Sequence, residues 1–111
     1  TDRLEAILSD SPHPVSMAFY ETLITAAELH HKKNKDYGTD DDPLRNVRAS
    51  EDIGIPAWKG SWMRAKDKVR RLDTFCLKGK LANEGVEDAW FDLAVYSLIC
   101  VVLFREHLLQ K

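Results

Sequence analysis

Apolar residues recur along the chain at intervals of three and four, and no alternating stretch persists long enough to suggest a strand. The helical period appears in four segments, which predicts an all-α, four-helix-bundle-like fold. The first segment, about Asp2 to Leu8, runs into SDSPHP, whose two prolines cannot sit in a helix interior. A second places Met17, Tyr20, Ile24, Ala27 and His31 on one side, takes Ser16 as its N-cap and stops near Gly38. The third starts near Pro56 or Ser61, puts Trp58, Trp62, Ala65, Val69, Leu72 and Cys76 on one stripe, and ends at Gly79. The fourth opens after Asn83 and continues to about Leu109. Between the second and third lies GTDDDPLRNVRASEDIGIP, with only scattered apolar residues, which predicts a loop of the length used for binding or as a lid.

The fourth helix departs from a simple core pattern. It is apolar on almost every side beyond its first turns, which predicts burial all round. Yet Glu84, Asp88 and Asp92 fall within about 80° of one another on one face. Stacked carboxylates repel, and a desolvated carboxylate is costly without a partner. Asn83 as N-cap and the helix dipole account for Glu84 and Glu87. They do not account for Asp92, which has no Lys or Arg at i±3 or i±4. The economical partner is a cation, and for an all-oxygen ligand set that means Mg²⁺ or Mn²⁺. A solvated acidic face is the alternative.

Two other faces carry charge. On the second helix Glu21, Glu28, Lys32 and Asp36 share an arc nearly opposite the apolar stripe, a solvated face unless a second packing surface turns it inward. On the third, Arg64, Lys68 and Arg71 line a face away from the tryptophans; they could grip a polyphosphate or simply face solvent. His30 and His31 lack ligand spacing and read as core or interface histidines.

Composition narrows the classes. A chain of 111 residues suits one domain, 1–111. Sixteen Lys+Arg against 18 Asp+Glu leave a net charge of −2, so no global field draws it to nucleic acid or an anionic membrane. The longest apolar run, Leu93 to Phe104, is well short of the roughly 20 residues a spanning helix needs. TDRLEAILSD has no basic n-region or long apolar h-region, and Cys76 and Cys100 have no CxxC or metal spacing. Both features suit a cytoplasmic chain with two core thiols.

KKNKDYG (32–38), the Asn of PLRN (43–46), RAKDKVRRL (64–72) and NEGVEDAWFDLAVY (83–96), in that order, form a long pattern. Over about residues 16–104 the chain resembles the MazG-like all-α nucleotide pyrophosphohydrolases, and more closely the phage and bacterial proteins labelled nucleotide modification associated domain. It departs from the larger group in two places. The helix-two ExxE pair is absent, Glu21 and Glu28 being seven apart, and Gly85 stands where a Ser often follows the Glu. The resemblance implies Mg²⁺-dependent (or Mn²⁺-dependent) hydrolysis of a nucleoside triphosphate to monophosphate and pyrophosphate in nucleotide pool control or modification. Glu84, Asp88 and Asp92 would then hold the metal, with Glu28 or Asp36 completing the shell, and Arg64, Lys68 and Arg71 would bind phosphates. Asp36, Tyr37 and Asn46 would meet base or ribose. Trp58 or Trp62 could stack on a base, core packing being the better reading of Trp62. A homodimer or homotetramer, in a bacterial or phage-encoded setting, belongs to the same expectation. The competing reading is a helical module that binds a nucleotide or a protein without turnover.

Overall fold

The computed structural model describes residues 2–10, 13–37, 44–81 and 85–110, and among them every regular element is helical. In chain order these are α1 (Asp2–Ser9), α2 (Pro14–Tyr37), a 3-10 helix (Arg45–Ile53), α3 (Ala57–Lys78) and α4 (Val86–Leu109). The chain is thus a single all-α domain, as the periodicity predicts. No described helix is long and apolar enough to cross a membrane.

Local chemistry sets the ends. α2 begins two residues before Ser16, because Pro14 fits the first helical turn, where its missing N–H costs nothing. His13 acts as the cap, its Nδ1 accepting the Val15 amide at 3.1 Å. α3 stops at Gly79, whose φ of +74° is a left-handed conformation that favours glycine and whose amide donates to the Phe75 carbonyl at 2.7 Å. Gly38 and Asn83, expected as the end of α2 and the cap of α4, lie outside the described residues; Gly85 is the residue that precedes α4.

The expected loop is largely structured. From Arg45 it forms the 3-10 helix, and Val47 enters the core with Ala57, Ile99 and Leu103. Leu44 and Val47, three apart, are too sparse to signal a helix by themselves; burial against α4 selects the conformation. Arg48 fastens the segment by a fork of hydrogen bonds to Glu106, 3.2 and 3.0 Å. The segment also lies close on α3: a Cβ at Gly60 would stand 2.8 Å from the Ser50 Cβ and closer still to its hydroxyl.

α3 packs chiefly on α4, through Ala65 and Leu72 of the predicted stripe together with Ala57 and Ser61, which the stripe did not include. Ser61 and Ala65 on α3 and Ala89 on α4 are fully buried, which lets the two backbones approach. Ala57 and Leu72 extend this seam, whereas Trp62, Val69 and Cys76 are exposed. Cys76 is therefore a surface thiol, and Cys100 is half-buried with its thiol on the Trp58 carbonyl. The tryptophans exchange their expected roles: Trp58 packs edge-on against Phe104 at 5.4 Å, while Trp62 is open to solvent. α2 rests mainly on α4 and, among its described side chains, buries only Ala26.

Candidate functional site

α2, the 3-10 helix, α3 and α4 enclose a cleft of about 350 Å³. α2 contributes His30, Lys33 and Asn34, residues one turn apart on the side that faces α4. The 3-10 helix contributes Asn46 beside the buried Val47, and α3 contributes Arg64. From α4 come Asp92 and Tyr96, with Val95 and Ile99 as the apolar floor. Tyr96 is fixed through its carbonyl, which accepts the buried Ser61 hydroxyl at 3.3 Å.

Asp92 is the electrostatic centre. Its Oδ1 accepts from the Lys33 ammonium at 2.5 Å and its Oδ2 meets the Lys68 ammonium at 3.1 Å. Lys68 and Asp92 are only 18% and 19% exposed, while Lys33 is 54% exposed, so one pair is sheltered and the other wet. Burial pushes the Asp92 carboxyl up, but hydrogen bonds and charge from Lys33 and Lys68 outweigh it and hold the group below the ordinary carboxylate value. The partners missing from Asp92's own helix are thus ammonium groups of α2 and α3.

His30 has the opposite character. Burial first, then the charges of His31 and Lys33, lower its pKa and favour the neutral ring. Nε2 then accepts from the Asn34 amide at 3.1 Å, which places the ring proton on Nδ1. Asn34 is in this way oriented by the neutral imidazole at the cleft wall.

Of the residues expected at a site, Asn46, Arg64 and Asp92 line this cleft, and Lys68 reaches it through Asp92. Lys68 sits on the α4 side of α3 rather than on a separate outer face, because it is one turn from the buried Ala65 and Leu72. Arg71 is on the exposed side of α3. Asp88 is exposed and folds back over the start of α4, its Oδ2 being 3.2 Å from where a Gly85 Cβ would stand. There, in the first turn, an acid complements the helix dipole. Glu28 lies on the exposed outer arc of α2 and does not line the cleft. Glu84 lies outside the described residues, as do the side chains of Asp36 and Tyr37 in the last turn of α2. Among the described residues no three His, Cys, Asp or Glu side chains converge.

Lys33, Asn34, His30 and Tyr96 were not predicted here. A signal for Lys33 exists: it is seven residues from Ala26 and three from His30, on α2's inner side. The surrounding run of lysines conceals it.

No family model, curated protein or solved structure matches this chain. The described cleft does not by itself fit Mg²⁺: its one carboxylate already has a lysine on each oxygen, and Arg64 adds further positive charge. It does fit an anion with several oxygens. Arg64 supplies a planar fork, the lysines point charges, and Asn34 and Asn46 neutral hydrogen-bonding groups.

Proposed function

We propose that the cleft binds the phosphates of a nucleoside triphosphate. The observation that carries this reading is the set of three cations, Lys33, Arg64 and Lys68, gathered from two helices around the single carboxylate of Asp92. Asp92 acts as a spacer that holds both ammonium groups in place. Arg64 grips phosphate oxygens, and Asn34, Asn46 and Tyr96 meet ribose or base at the rim. In this reading the reaction is pyrophosphohydrolysis to monophosphate and pyrophosphate, the activity that the sequence resemblance implies. Mg²⁺ or Mn²⁺ would supply charge neutralisation and an activated water; Asp88 would be among its ligands, as would Glu84, which lies outside the described residues. A homodimer or homotetramer is the expected assembly.

One observation favours a second reading. Both oxygens of Asp92 are engaged by lysines, so the carboxylate most distinctive in the sequence is committed to ion pairs. A module that binds nucleotide without turnover requires no more than that.

The deciding experiment is a panel of common NTPs and dNTPs, with and without Mg²⁺ or Mn²⁺, read by separating all phosphate products, together with thermal melts of the same mixtures. Monophosphate and pyrophosphate abolished by chelation support the hydrolase. A raised melting midpoint without product selects the binding module, since a ligand of the folded state must stabilise it. No product and no shift from any nucleotide defeats both.

A further inference from the structure

The cleft is lined by two asparagines that differ in freedom. Asn46 is exposed and its side chain makes no hydrogen bond among the described residues, so its amide can turn either end toward a ligand. Asn34 is half-buried and held. Its Nδ2 donates to His30 Nε2 at 3.1 Å. The two residues are one turn apart on α2, a spacing that sets one side chain above the other.

The imidazole decides which end of that amide is used. Burial and the charges of His31 and Lys33 favour the neutral ring. With its proton on Nδ1, the ring offers only an acceptor at Nε2. Turning the amide over would set the Asn34 Oδ1 against that lone pair, two acceptors face to face, and the bond would be lost. The amide therefore has one orientation. Oδ1 is its open end, and no described group donates to it.

An acceptor is unusual in this setting. Lys33, Arg64 and Lys68 carry donors only, and both oxygens of Asp92 are taken by the two lysines. Among the described residues of the cleft, Asn34 Oδ1 is the acceptor that is both open and fixed. Phosphate oxygens are acceptors themselves and gain nothing from it. A sugar hydroxyl both donates and accepts, so it would pair with either end of an amide and needs no fixed one. A nitrogen-bound hydrogen on a heterocyclic base only donates, and for that group the orientation of the amide matters.

We propose that Asn34 sets the specificity of the cleft: its Oδ1 accepts an N–H from the edge of the ligand's base, and His30 is the positioning residue that fixes this polarity. This rests on the nucleotide reading above and adds to it the hydrogen-bonding character of the base. Two kinds of N–H share the chemistry. Cytosine and adenine present an exocyclic amino group beside a bare ring nitrogen; uracil and hypoxanthine present a ring N–H beside a carbonyl.

Calorimetric titration in Mg²⁺ with α,β-methylene triphosphates, whose α–β bridge resists hydrolysis, compares the CTP with the UTP analogue and the ATP with the ITP analogue. In the wild type one member of a pair should bind about tenfold tighter, the effect of one well-placed hydrogen bond against a mismatched one. Preference for the cytosine or adenine form assigns the amino group; preference for the uracil or hypoxanthine form assigns the ring N–H. Asn34→Leu should bring the two members together by weakening the preferred one. His30→Phe should also bring them together, but by strengthening the other, because a freed amide can turn its N–H toward a carbonyl or a bare ring nitrogen. A merely structural role for His30 would weaken both members instead. Equal affinities within both pairs for the wild type overturn the inference while leaving the nucleotide reading intact, and so does a ratio that survives either substitution in a folded variant. No binding by any analogue defeats the nucleotide reading and this inference with it. The wild-type ratio needs no variant, so the inference stays open to refutation even where a substitution prevents folding.

Discussion

Asp92→Asn tests whether the carboxylate works as the tie between three helices. The substitution keeps the shape and one acceptor oxygen but removes the charge that both lysines face. Lys68, 18% exposed, is the costly partner: its 3.1 Å contact is a sheltered, charge-assisted bond, of a kind that contributes about 1.5–3 kcal/mol. Lys33 is 54% exposed, and a wet pair adds about 1 kcal/mol at most. The residual amide acceptor recovers part of this. The sum is about 2–3 kcal/mol, or roughly 10 °C in Tm for a domain of this length. The sign with pH is fixed by the lowered carboxyl. Burial opposes the shift, but the two lysines prevail, so the folded chain binds this proton less readily than the unfolded one. The stabilisation is complete above the unfolded value of 3.8 and is lost as the pH falls through the lower folded one. Thermal and urea melts of both proteins should therefore show a gap that is constant near neutrality and closes below about pH 4. A variant that melts with the wild type at neutral pH, or a gap that persists in strong acid, would refute the ion-pair account.

Arg64→Ala should weaken nucleotide binding by about tenfold or more, the loss of one charge-assisted contact, and leave Tm nearly unchanged because Arg64 is exposed; calorimetric titration checks the first and a thermal melt the second. Gly60→Ala should destabilise by about 1–3 kcal/mol, an overpacking cost, since its Cβ meets Ser50; unchanged urea melts would show that the 3-10 helix yields freely. The His30 ring should titrate below its ordinary 6.5 in a proton NMR series, and Asn34→Ala should raise it by removing a hydrogen bond to the neutral form. Because that pKa is lowered, the stability His30 contributes is present above 6.5 and lost as the pH falls through the folded value.

Much of this protein was legible in the chain itself. Helix class and most boundaries follow from local causes, apolar spacing of three and four and the left-handed turn at Gly79, although α2 starts at Pro14 rather than after the expected Ser16 cap. The anomaly at Asp92 was visible too, because pairing along one helix is a matter of counting residues. What resolved it was not visible. Lys33 is 59 residues away, and an ion pair between helices depends on which faces meet, which periodicity leaves open. Burial reversed the two tryptophans for the same reason: Ser61, outside the predicted stripe, and Ala65, its smallest member, let α3 close on α4 and turned Trp62 outward. The 3-10 helix had too few apolar residues to announce itself, and the pocket that received Val47 exists only once α3 and α4 have packed. The chain thus determined by itself that it is helical and that one acid needs a cation. Only the packing of helices decided that this cation is a pair of lysines, because long-range electrostatics and close-packed contacts are properties of assembled surfaces rather than of segments.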